Sequence, residues 1–252
     1  RSGQPLVAVA RLVVALVTLA ALVALWRWAL DRTLTGGGTT TTTRRMSGLG
    51  LFGRFGWTPT GAVAARCLTY WRRDPRYIGS LVVLPLFPVF LGLGTTVADQ
   101  TWWTLLLLGP LTAFSMGWAI SADVSYDSTA FWLHVVTGVS GRADRLGRVV
   151  AVSVIAVPLM LVYLVGSVWY LDRWDTLPAA AGVTLGTYLT ALGVSSVASA
   201  RFVYPVPKHG ESAFATPQGS TTATLLVQTA GAAVLAALTL PHVGLGIASL
   251  VT

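Results

Sequence analysis

Asp123, Asp127 and His134 are the acid and imidazole side chains of this 252-residue sequence that could be imagined as one cluster. Such a set could hold a metal ion or run general acid–base chemistry. The spacing argues against both, because His134 follows Asp127 through an apolar run at a separation that suits no standard metal site. His209, in YPVPKHGES, and His242, beside Pro241, read as solvated loop residues. Cys67 is the only cysteine, which excludes an intrachain disulfide and a cysteine-based metal site. Its place beside a basic loop fits a reduced, cytosolic setting. The glycine run in TLTGGGTTTTTRRMSGLG lacks the Lys-Ser/Thr and the helix start of a phosphate-binding loop, and no other such loop occurs. The chain reads as a non-enzyme, with no catalytic, cofactor-binding or metal-binding residues of its own.

The elements that carry these residues are apolar. Stretches at 6–30, 77–98, 100–122, 148–171, 177–200 and 221–240 each approach the ~20 residues that take a helix across ~30 Å of hydrocarbon. Apolar residues make up 54% of the chain and charged residues 10%, against about 25% charged in a soluble domain. Arginine crowds into alternate loops: Arg32, Arg44, Arg45, Arg54, Arg66, Arg72, Arg73 and Arg76, then Arg142, Arg145 and Arg148, then Arg201 and Lys208. By the positive-inside rule those loops are cytosolic. The expected architecture is therefore all-α and polytopic, in the inner (cytoplasmic) membrane. The net charge of +8 is explained by topology and acidic lipid, since the arginines flank spans and form no continuous stripe for nucleic acid.

Three regions are expected. Residues 1–30 form a first span, 31–57 a flexible cytosolic Gly/Thr linker that cannot offset its ordering entropy, and 58–252 a membrane domain. Because 1–30 must begin outside and the end enters a fresh apolar run, the chain reads as a piece of a longer protein; a complete protein with an external start is the alternative. Arg11, inside the outer end of the first span, can snorkel to the interface. Thr58-Pro59 opens a helix over 59–75. Ala62, Ala65, Leu68, Tyr70 and Trp71 gather on one side of it, with Arg66, Arg72 and Arg73 opposite or flanking. That pattern fits an amphipathic helix in the headgroup plane, or a plain juxtamembrane anchor. Asp74-Pro75 then breaks it.

The cytosolic loop 123–147 opens with Asp123 and Asp127, continues through a short apolar helix (Phe131, Trp132, Leu133, Val135, Val136), and ends at Gly138 to Gly141 before Arg142 and Arg145. No lipid covers such a helix, so it packs on the membrane domain or meets a partner protein. A further cytosolic loop is expected over 201–220.

In this order, YWRRDPRY, two spans and YDSTAFWLHVVTGVSGRADRLGRVVA resemble the permease subunit of type-2 ATP-binding-cassette exporters. The matching positions are Tyr126-Asp127, Trp132, Val139-Ser140-Gly141-Arg142 and Gly147-Arg148; Ser128 stands where Gly is usual and Gly138 where Pro is usual. The resemblance covers about 58–240. It implies an elbow helix carrying Arg66, Tyr70, Trp71, Arg72 and Arg73. It also implies an ATPase-coupling loop carrying Asp127, Phe131, Trp132, Leu133, His134, Gly141, Arg142 and Arg145. ATP and Mg would then sit on a partner ATPase, and a second permease half, fused or separate, would complete the pathway. The competing readings are an ion-coupled secondary transporter, disfavoured by the scarcity of ionisable groups within the spans, and a non-transporting anchor or scaffold. Pro85, Pro88, the Gly92/Gly94 pair and Pro158 permit bending, and Gly182-x3-Gly186 and Ala191 to Ser199 permit close packing. Trp102, Trp103, Trp169 and Trp174 mark an outer aromatic belt. A pathway so lined suits a small amphipathic or lipophilic cargo.

Overall fold

The computed structural model describes residues 50–97, 102–206 and 221–251, together with scattered positions from 13 to 28. The chain divides into two compact units, Arg1–Ser47 and Gly48–Thr252. In the first unit residues 23–28 are helical and exposed; the rest of the expected span 6–30 and most of the linker 31–57 lie outside the described residues. The second unit is entirely helical among the described residues.

Its α-helices are α1 (Pro59–Arg73), α2 (Pro75–Val83), α3 (Leu86–Val97), α4 (Leu108–Trp118), α5 (Asp123–Asp127), α6 (Trp132–Val136), α7 (Gly141–Leu171), α8 (Leu177–Arg201) and α9 (Thr221–Val251). Order begins earlier than position 58. Residues Gly50–Gly53 form a 3-10 turn, and Leu51 and Phe55 pack against Val63, Cys67, Leu68 and Ala151.

Among the described residues, four helical segments are long and apolar enough to cross a membrane: Pro75–Gly94, Gly141–Leu171, Trp174–Arg201 and Thr224–Ser249. The first is broken at Leu84-Pro85, as the two prolines require. Pro88 has no N–H to offer the Leu84 carbonyl, which instead accepts from Tyr163 Oη on α7 at 3.1 Å. The expected span 100–122 is different. Trp102–Leu107 is a 3-10 helix and α4 has only 11 residues, about 16 Å of α-helix. Pro110 cannot donate to the residue 106 carbonyl, which removes one rung of an α ladder at this turn. Among the described residues a fifth crossing would join Trp103–Trp118 to Asp123–Val136, two segments bent by 46°.

The last helix also departs from expectation. It continues through Pro241 to Val251, so His242 is not in a loop: its Nε2 lies 3.2 Å from Thr190 Oγ1 on α8. An apolar surrounding leaves the backbone nothing better than the helix, and a proline inside it is tolerated.

Helix α4 packs on α7 and α8, and α9 packs on α8. Close approach of α4 and α8 depends on Gly117, where a Cβ would collide with Ala191; Ser195 Oγ donates to the Gly117 carbonyl at 2.7 Å. Gly182, expected in such a contact, faces open space, whereas Gly186 abuts His242. Met116, Ile120, Val152 and Ala156 form the buried centre of this packing. Trp118 Nε1 donates to Gln228 Oε1 at 2.7 Å, satisfying a polar side chain inside α9.

Helix α1 lies along the first half of α7. Thr58 caps it, accepting from Gly61 N at 3.0 Å, and Asp74 ends it in an extended conformation while its side chain accepts from Arg76 N to start α2. Ala65, Leu68 and Trp71 share the buried face with Val63, Ala64 and Cys67, but Ala62 is exposed. Trp71 is 2% exposed and joins the protein core with Tyr77. The apolar face of α1 is covered by protein, and Trp71 is no lipid-facing anchor.

Candidate functional site: a buried ionic knot and the hairpin it holds

Arg148 is the organising residue. It lies in the second turn of α7 at 1% exposure, and its guanidinium touches carboxylates from two elements. Nε donates to both oxygens of Asp144, one turn earlier, at 3.1 Å. Nη2 donates to Asp127 Oδ2 at the end of α5. Nη1 stands 3.6 Å from Asp123 Oδ2. Arg66 reaches from α1 to the same Asp127 Oδ2 at 2.9 Å. Three helices distant in sequence are therefore tied through one carboxylate.

Both ends of the loop 123–147 are held by this knot. Arg145 also donates to Asp144. His134 Nδ1, on α6, lies 3.0 Å from Asp144 Oδ1 but off the line of a hydrogen bond. Phe131 lies against the His134 ring at 5.6 Å between centroids. Beside the knot Asp74 and Arg76 form a second buried pair at 2.6 Å. The Arg76 guanidinium lies 4.8 Å from the centre of the Tyr126 ring. Tyr77 packs on Trp71 and on Tyr126, each at 5.3 Å between centroids.

Asp123 is held more loosely: it is buried, its contact with Arg148 is the longest in the knot at 3.6 Å, and the buried Tyr77 phenol is the hydroxyl placed to donate to it. A buried carboxylate so loosely held is costly and persists only where neighbouring charge compensates it. The low polarity extends to α1, where burial pushes the Cys67 thiol up to about 12, with the Asp123 carboxylate adding to the shift. Burial likewise raises the Tyr70 phenol.

On the other side of this brace stands an apolar hairpin. After Asp127 the chain makes a 3-10 turn (Ser128–Phe131), then α6, then a reversal at Gly138 with φ +66°. Thr137 N donates back to Leu133 O and Val139 N to His134 O, closing the tip. Trp132, Leu133, Val135 and Val136 are all exposed, Trp132 by 61% and Val135 by 69%. Ser128 has φ +47° and ψ −126°, a strained region for a residue with a Cβ. Ser140 then caps α7, accepting from Ala143 N at 3.2 Å.

The structure thus gathers Asp127, His134, Arg145 and Arg66 in one knot. Phe131 lies at its edge, and Trp132 and Leu133 lie on the exposed hairpin. Gly141 and Arg142 are exposed at the start of α7, and Arg72 and Arg73 are exposed at the end of α1. Tyr70 is half-buried with its ring 5.6 Å from the Arg66 guanidinium. The roles of Asp144, Asp74 and Arg76 were not anticipated from sequence. The Asp144-x3-Arg148 spacing, which puts both on one helix face, is the signal that pointed to the first. Among the described residues no group of three or more ligating side chains is arranged to hold a metal ion. No known protein family, curated protein or solved structure matches this chain.

Proposed function

We propose that the chain is the membrane-spanning permease component of an ATP-driven exporter, working with a separate ATP-binding-cassette ATPase that binds ATP and Mg. The observation that carries this reading is the hairpin 128–136: four exposed apolar side chains on a short helix, fixed to α1 and α7 through buried charge. A surface patch of this kind is a docking face, and a rigid mount is what a docking face needs to pass motion to membrane helices. Ser128 adds support, since its positive φ is glycine's territory and glycine is usual there in the type-2 exporter pattern. Gly138 adds none: at φ +66° the usual proline cannot fit.

In this reading the arginine-rich ends of the spans face the cytosol, α1 is the elbow helix, and the loop 201–220 lies on the same side. A second permease half completes the pathway, and the cargo is small and amphipathic or lipophilic. The protein sits in the cytoplasmic membrane. Efflux measured with the full-length protein and its ATPase tests this: ATP depletion should abolish it, and collapse of the proton gradient at constant ATP should leave it nearly intact.

Asp123 favours a second reading. A buried carboxylate standing 3.6 Å from its counter-charge is the kind of group an ion-coupled carrier uses. Efflux that follows the proton gradient and is lost in Asp123→Asn would select that reading over the first.

A further inference from the structure

A cavity of about 1620 Å³ opens beside the ionic knot, where three of the candidate spans begin or end. Arg76 lies in the first turn of α2, Arg145 in the first turns of α7, and Arg201 is the last residue of α8; all three line it. Its remaining wall is largely apolar, with Val124, Val197 and Pro205 prominent, and Tyr126 and Tyr204 add aromatic edges. Tyr204 is fixed there by its backbone N–H, which donates to Ser125 Oγ at 3.2 Å.

The charge balance of the lining is positive. Asp127 and Asp144 also border the cavity; Arg66 and Arg148 compensate them from behind, while Arg145 is itself held by Asp144 and Arg76 by Asp74, so the positive excess rests on Arg201. Arg201 is exposed at the rim and has no ion pair among the described residues. Ends of apolar spans mark the depth at which hydrocarbon gives way to headgroups. A guanidinium at that depth meets lipid phosphate, for which its fork of donors is suited.

We infer that this cavity binds a phosphate-bearing amphiphile, an acidic phospholipid, with the phosphate at Arg201 and Arg145 and the acyl portion along Val124, Val197 and Pro205. This site does not depend on the exporter reading, since a carrier or an anchor would present it equally. It would let the lipid join α2, α7 and α8 at their cytosolic ends.

Native mass spectrometry of the full-length, delipidated protein titrated with dioctanoyl phosphatidylglycerol tests it. Dioctanoyl phosphatidylcholine and glycerol 3-phosphate serve as the other arms. We expect the phosphatidylglycerol to bind at least about fivefold more tightly than the phosphatidylcholine, and Arg201→Gln to weaken it by about fivefold. Ala200→Trp, at an exposed lining position, should obstruct the cavity and weaken binding comparably. Glycerol 3-phosphate should not compete. Equal binding of the two lipids, retention of affinity in both variants, or full competition by glycerol 3-phosphate would each overturn the inference. Native-like protection of Cys67 from maleimide confirms that each variant is folded.

Discussion

The two halves of α7 are held by opposite chemistry. In its first turns, Asp144 and Arg148 are buried in a lattice of charges supplied by α1 and α5. Further along, Val152, Ala156 and Met160 pack into an apolar core beside the small-residue contact of α4 with α8. In the apolar half, shape sets most of the fit, alongside the Ser153–Tyr188 and Tyr163–Leu84 hydrogen bonds. In the charged half each group needs its partners, so removing one harms far more than the loss of one contact. Such a junction suits a place where separate elements must keep one relative position.

The largest expected effect comes from cutting the knot at its centre. Arg148→Met leaves Asp123, Asp127 and Asp144 without their main counter-charge, and should destabilise the protein by about 3–5 kcal/mol, read by unfolding in detergent. Adding Asp123→Asn and Asp127→Asn should recover much of that loss, because the uncompensated charges go too. A loss below about 1 kcal/mol for Arg148→Met would mean that the knot does not hold the junction.

The apolar half should respond to volume instead. Gly117→Val forces a side chain into Ala191 and should cost about 1–3 kcal/mol in the same measurement. Gly182→Ala, facing open space, should be neutral or stabilising by up to about 1 kcal/mol. If both glycines behave alike, the tight contact is not where the structure puts it.

A smaller change of opposite sign is expected at the hairpin. Ser128→Gly relieves a positive φ and should stabilise by on the order of 1 kcal/mol, the strain released exceeding the entropy glycine adds to the unfolded chain. The smallest effect on stability belongs to Trp132→Asp, within about 0.5 kcal/mol, because an exposed side chain loses little.

Much of the scaffold was legible in the sequence. Thr58-Pro59 and Asp74-Pro75 mark the ends of α1, and the long apolar runs lead to α7, α8 and α9. The third run takes the form of a 3-10 helix leading into the short α4, a local geometry that hydropathy, which counts residues, does not register. Pro241 misled, since proline signals a stop in water but is accommodated inside a long apolar helix. The loop 123–147 was recognisable as a short apolar helix between charged flanks. Its attachment was not, because Arg66 and Asp127 are joined across distant chain, and spacing reports only near neighbours. Trp71 shows the same limit: amphipathicity says that a face is covered, and only packing says by what.

The proposed docking at the hairpin is tested most directly by Leu133→Asp and Trp132→Asp in the full-length protein together with the ATPase that the exporter reading assigns to it. We predict that both variants insert and keep Cys67 protected from maleimide, yet lose ATP-dependent efflux and co-purification of the ATPase, since a buried unpaired charge at the contact costs several kcal/mol. Normal efflux with normal ATPase recovery from either variant would contradict the account.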